Sequence, residues 1–152
     1  MRTPPAFLDV SVPMYAAGRE HWYRESCVWV MEAITERRFE VAVDTEIIQE
    51  ILYRYGALQC WKTAVTLATS VLELVPTVHS VTADDARAAV RLFEEYARKG
   101  VKARDVLHVA VMRRQGLHRI ISTDRHFDGI AGIERLDPLE LFEEGMGAPQ
   151  GC

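Results

Sequence analysis

The chain has 152 residues, 49% of them hydrophobic and 26% charged, with a formal net charge of −4 at pH 7. The length predicts one domain with a sizeable core, and the composition excludes a disordered chain. The negative balance excludes nucleic-acid binding by a global basic field, but not a nuclease whose acids hold cations. No apolar run is long enough to span a bilayer. The opening MRTPP runs straight into AFLD without the apolar region of a signal peptide, so a cytoplasmic protein is expected. The cysteines, Cys27, Cys60 and Cys152, are scattered and suit reduced thiols. Cys27 and Cys60 are expected in the core and Cys152 exposed at the tail.

Residues 6–9 (AFLD) read as a buried first strand ending in an acid. Residues 10–18 follow as a loop or short helix, with Pro13 in its first turn and Gly18 closing it. Residues 21–38 have helical periodicity, with Trp22, Trp29, Val30, Ala33 and Ile34 on or near one side. Residues 39–43 alternate and predict a second strand. Asp44 or Thr45 caps a helix that stops at Gly56. Residues 57–74 form a further helix carrying Leu58, Trp61, Ala64, Val65, Ala68, Val71 and Leu72. Residues 75–79 predict a third strand, put at an edge by Pro76. Thr82 caps a helix over 83–98, with Ala86, Ala89, Val90, Phe93 and Ala97 inward, and Gly100 ends it. A helix over 103–115, strands over 119–122 and 132–136, and a short helix over 139–144 complete the pattern. Alternating strands and helices imply a central parallel sheet of four or five strands, covered on both faces. The expected division is a single domain over residues 1–144 and a flexible tail over 145–152.

The acids carry the chemistry. Asp105 opens one helix and Asp124 lies just past the next strand. In a parallel α/β sheet such positions can meet at one rim, where these folds bind ligands. Carboxylates held close raise each other's pKa, so they need a metal ion or proton-transfer chemistry to justify them. Asp9 also follows a strand, although taken alone it reads more readily as a helix cap or turn residue. Glu46 lies nearly opposite the stripe of Ile47, Ile48, Ile51, Leu52 and Tyr55 and reads as a solvated first-turn acid. Glu50 falls roughly 40° nearer the stripe and suits the edge of a buried site, its structural alternative being an ion pair with Arg54. His108, at i+3 from Asp105, can orient a carboxylate or touch a substrate, though a lone histidine on an apolar helix is more often structural. Asp124 and Asp128 sit in STDRHFD, beside the hydroxyls of Ser122 and Thr123; the structural alternative is a capped turn anchored by Phe127. Four or five acids on one rim suit one or two Mg²⁺ or Mn²⁺ ions, which activate water and steady the leaving oxygen of a phosphodiester.

FLDVSVPMYAAG, TEIIQEILYRYG, ARDVLHVAVMRRQG and ISTDRHFDGIAGIERLDP, in that order, resemble the PIN-domain family, in particular its VapC-type toxin ribonucleases. The resemblance covers about residues 6–138 and implies a three-layer α/β/α sandwich and metal-dependent RNA cleavage. It implies Asp9, Glu50, Asp105 and Asp124 as the metal-holding catalytic acids, with Asp128 a possible auxiliary. Ser122 stands where the family's T-x-D-x-x-F segment more often has threonine, which keeps a hydroxyl. Expected backbone contacts to RNA are Arg19, Lys102, Arg104 and Arg125, whereas Arg37, Arg38, Arg113 and Arg114 read as solvated helix faces.

The resemblance further implies a small antitoxin partner whose peptide occludes the cleft, and a homodimer. The helix pair over 45–74, with Tyr55, Leu58 and Trp61, offers a surface for a second copy unless those residues are core. A non-catalytic PIN-like module that binds RNA or protein is the main alternative, and it predicts an incomplete acid set. A phosphate-accepting receiver-type domain needs a lysine after a late strand, and none follows Lys102. A hydrolase using acids without metal is not required by any residue.

Overall fold

The computed structural model describes residues 4–147. Five short strands carry the core: β1 (Ala6–Leu8), β2 (Val41–Asp44), β3 (Thr77–His79), β4 (Arg119–Ile121) and β5 (Glu134–Leu136). All pair in parallel, in the order β3-β2-β1-β4-β5. The central strands are continuous apolar runs because both of their faces are covered: Phe7, Leu8, Ala42, Val43 and Ile120 have no exposed surface. Pro76 precedes β3, which is an edge strand as expected. Chain progression reverses between β1 and β4, and that switch point is where a parallel sheet opens a crevice.

Among the described residues seven α-helices cover the sheet in a three-layer α/β/α arrangement: α1 (Ser11–Ala17), α2 (Arg24–Thr35), α3 (Thr45–Ala57), α4 (Trp61–Leu74), α5 (Ala83–Tyr96), α6 (Ala103–Arg114) and α7 (Pro138–Gly147). Helix α6 is buried around most of its circumference, including the polar Asp105 and His108. Of the expected tail, residues 145–147 continue α7, and 148–152, with Cys152, lie outside the described residues. Among the described residues no helix is long and apolar enough to cross a membrane.

Three expectations are corrected. First, α2 starts at Arg24, because residues 21–23 form a bend in which the Tyr23 N–H donates to His21 Nδ1. Trp22 is therefore 65% exposed and off the buried stripe of α2. Second, α3 runs through Gly56, and the left-handed residue that breaks it from α4 is Gln59 (φ 58°). Cys60 lies in that turn and is exposed, so among the described residues only Cys27 is a core cysteine, its thiol pushed up to about 12 by burial. Helix α4 buries Ala64, Ala68 and Val71 and leaves Trp61, Val65 and Leu72 in solvent, and Leu58, the C-cap residue of α3, is exposed beside it.

Third, α5 turns Asp85, Ala89, Leu92 and Tyr96 inward, while Val90 and Phe93 are exposed. Asp85 sets this face. It completes a capping box with Thr82 and accepts two hydrogen bonds from Arg114 of α6, at 2.8 and 2.9 Å. Arg114 is thus an inter-helix tie, not a free surface cation. The Arg114 guanidinium holds the Asp85 carboxyl below its ordinary 3.8. A carboxyl depressed on folding stabilises above its unfolded pKa, and that contribution fades as pH falls below about 3.8. Asp85→Asn is expected to lower the melting temperature by several degrees at pH 7. The gap to the wild type should narrow in urea titrations near pH 3.5.

Candidate active site

The switch-point crevice is a cleft of about 650 Å³ whose walls include Asp9, Glu50, Asp105 and Asp124. Asp9 follows β1 and is 4% exposed. Its backbone N–H donates to the Ile121 carbonyl at 3.0 Å, which keeps it at the β1–β4 junction. The hydroxyls of Ser11 and Ser122 both donate to its Oδ2, at 2.8 and 2.7 Å. That fixes the carboxylate and leaves Oδ1 without a side-chain donor among the described residues. Burial raises the Asp9 pKa, and the Ser122 hydroxyl works against that rise.

Asp105 comes from the first turn of α6. Its Oδ2 is buried with no hydrogen-bond partner. An orphaned carboxylate oxygen is costly, and burial together with the nearby Asp9 pushes this carboxyl up to about 6. Asp124 caps a 3-10 turn, Arg125–Gly129, by accepting from the His126 N–H at 2.9 Å. The His126 ring also lies 2.8 Å from Asp124 through Nδ1. That ring packs on Gly100, which has φ +87° and where a Cβ would stand 2.8 Å from His126 Nε2. Glycine at 100 therefore helps keep His126, and through it Asp124, in place.

Glu50 projects from the middle of α3 and is 3% exposed. Arg54, one turn on, donates to its Oε1 at 3.1 Å. The ion pair expected as the structural alternative is thus present, yet both residues line the cleft. On the other side His108 Nε2 lies 3.5 Å from Oε2, an ionic contact too poorly aligned for a hydrogen bond. His108 Nδ1–H donates to Asp44 Oδ2 at 2.8 Å. Asp44 ends β2 and caps α3 with its other oxygen, accepting from the Ile47 N–H at 3.1 Å. Both Asp44 and His108 have no exposed surface. Burial alone would strip the proton from His108; the Asp44 and Glu50 carboxylates outweigh it and push its pKa up to about 10. Burial would likewise raise Glu50, and the His108 cation holds it below its ordinary value. His108 therefore orients a carboxylate from behind and does not line the cleft.

Asp128 does not share the cleft. It is on the surface, and Arg135 donates to both of its oxygens at 2.9 and 3.2 Å. Of the expected cations, Arg19 and Lys102 line the cleft and Arg104 and Arg125 do not. Arg104 sits over the Tyr53 ring at 4.3 Å and 3.6 Å from Glu46, so Glu46 is paired as well as near the surface.

Every acid in the cleft offers hard oxygen, the chemistry a divalent cation such as Mg²⁺ takes. Asp105 Oδ2 and Glu50 Oε2, buried without hydrogen bonds, are the atoms in most need of one. Among the described residues no three Asp, Glu, His or Cys side chains stand together in an arrangement that could hold a metal ion unaided. The acids line an open cleft, which suits an ion that keeps waters and binds through few carboxylates.

Fold and site together define the class: a three-layer α/β/α domain with a carboxylate-lined crevice at the switch point of its parallel sheet. A sequence model of the PIN domain matches residues 6–133. The chain is 30% identical over 129 residues to ribonuclease VapC13 of Mycobacterium tuberculosis, covering 85% of this chain and 97% of that one. It is 33% identical over 121 residues to ribonuclease VapC23 of the same organism, covering 78% and 91%. The crystal structure of Mycobacterium tuberculosis VapC20, a sarcin-ricin loop cleaving toxin, superposes with a TM-score of 0.67 at 19% identity, covering 84% of this chain and 98% of that one. The chain belongs to the PIN domain family.

Proposed function

We propose that this protein is a ribonuclease that depends on Mg²⁺ or Mn²⁺, the toxin half of a toxin–antitoxin pair. The observation that carries the reading is the convergence of four acids from four separate segments on one cleft, two of them, Glu50 and Asp105, with an orphaned buried oxygen. The curated relatives named as VapC ribonucleases support it.

Asp9, Glu50, Asp105 and Asp124 would hold the cation. When bound there it supplies Lewis-acid charge at the phosphate and lowers the pKa of a water. The chain's own residues do the rest. Ser11 and Ser122 lock the Asp9 rotamer, His108 and Arg54 hold Glu50 ionised, and His126 holds Asp124. Arg19 and Lys102 draw the RNA backbone to the acids, which would otherwise repel it. Ser11 is committed to Asp9, and Cys27 is buried with a raised pKa, so neither serves as a nucleophile.

The expected partners are RNA, a small antitoxin that covers this cleft, and a second copy of the chain. The exposed Leu58, Trp61 and Val65 beside α3 are the surface we assign to that second copy. The testing experiment incubates purified protein with a mixed RNA ladder. Cleavage should appear with Mg²⁺ or Mn²⁺ and vanish with a chelator. RNA that is bound tightly and never cut, whatever the cation, would move the assignment to a binding module.

A further inference from the structure

At one end of the cleft stands a built stack of aromatic rings that the acids do not use. Tyr23 is its base: it is 5% exposed, and its hydroxyl donates to Asp137 at 3.2 Å. Arg135 in turn pairs with Asp137 at 3.1 Å. Trp22 lies on Tyr23, ring centroids 4.0 Å apart and planes 29° from parallel. His21 runs nearly parallel to Tyr23, at 7°, and lies 4.7 Å from Tyr15. The Tyr23 N–H donates to His21 Nδ1 at 3.1 Å, so the imidazole is held by the backbone and not free to swing.

His21 and Tyr15 form part of the cleft wall that also carries Asp9, Asp105, Arg19 and Lys102. A second, smaller depression shares Glu20 and His21 with the cleft and continues onto Trp22. Carboxylates, two cations and flat rings therefore line adjoining depressions that share Glu20 and His21. Trp22 keeps 65% of its surface exposed although its ring is already oriented by Tyr23. A large apolar ring fixed in solvent beside a polar cleft fits a ligand with a flat face. An unpaired nucleobase has such a face, and its own phosphate would lie toward Arg19 and Lys102.

We infer that His21 and Trp22 form a base-stacking subsite that takes an unpaired RNA base flanking the cut phosphodiester. This rests on the ribonuclease reading and adds to it the two side chains that would hold a base beside the cut. The ledge grips the substrate and leaves the chemistry to the acids, so it should govern affinity and choice of site.

The test uses the full-length protein and a short single-stranded RNA that the wild type cuts. Trp22→Ala is expected to raise KM about 5- to 100-fold, the range of one base stack, with little change in kcat. Trp22→Phe should restore most of the affinity, because a ring is retained. A version of the RNA with an abasic nucleotide beside the cut should bind wild type and Trp22→Ala alike. Equal KM values for wild type and Trp22→Ala on the intact RNA would overturn the inference. If the wild type cuts nothing, the ribonuclease reading fails, and the subsite is judged by fluorescence. Quenching of tryptophan emission by the oligonucleotide, absent in Trp22→Phe, would support it, and equal quenching in both proteins would overturn it.

Discussion

Replacing His108 by leucine is expected to destabilise the fold by roughly 3–5 kcal/mol, the range for removing one partner of a buried ion pair. The imidazolium lies between Asp44 at 2.8 Å and Glu50 at 3.5 Å, in a region with no exposed surface on the ring. Leucine fills much of the volume but leaves Asp44 Oδ2 without a donor and Glu50 facing it. The pH dependence has a definite sign. A histidine whose pKa rises on folding contributes in full below its unfolded value of 6.5, and that contribution declines as pH climbs toward about 10. Chemical denaturation of both proteins at pH 6 and pH 9 should therefore show a larger gap at pH 6. Combining His108→Leu with Asp44→Asn should recover part of the loss, since the second change removes one stranded charge. Wild-type stability in the single variant would mean that the buried cation does not hold α3 to α6.

Asp105→Asn is expected to do two opposite things. Cleavage should fall by about 100-fold or more, because the proposed site loses one of the carboxylates that would hold its cation. The cation-free protein should become more stable at neutral pH. Asp105 ionises only at about 6, against an ordinary 3.8, so above that pH the folded state carries a penalty that an amide does not. The gain is roughly 1–3 kcal/mol after allowance for local relaxation. For an acid with a raised pKa the penalty is absent below the unfolded value, grows from 3.8 to about 6, and is constant above. Thermal melts in chelator should thus separate the two proteins at pH 7.5 and bring them together at pH 4. Added Mg²⁺ should stabilise the wild type and leave the variant almost unchanged. Such opposition is common where a site stores repulsion for a ligand to relieve.

The layout of strands was readable in the amino-acid order because each central strand is a short apolar run bounded by turn residues. The three acids at element ends, Asp9, Asp105 and Asp124, could be assigned to one rim for the same reason: a parallel sheet sends all its carboxyl ends one way. Glu50 was reachable from helical periodicity. Three features were not. Ser122 binds Asp9 only because β1 and β4 pair with Leu8 opposite Ile121, a register that no local pattern encodes. Asp44 looked like an ordinary helix cap, and one of its oxygens does cap α3, but the other meets His108 across 64 residues. The inward face of α5 was misread because Asp85 counts as a surface residue until Arg114 is seen to reach it. In each case a polar group was satisfied by a partner distant in sequence, which periodicity cannot show. Gln59 is a local failure: a non-glycine residue took the left-handed position that Gly56 seemed to claim.

The central claim is that these four carboxylates form the cutting site. The most direct measurement is the single-turnover cleavage rate of one defined RNA in Mg²⁺ or Mn²⁺ by the wild type, Asp9→Asn and Asp105→Asn, each shown by thermal melting to be folded. The account predicts that both variants cut at least about 100-fold more slowly than the wild type. Variants that cut as fast as the wild type would contradict it.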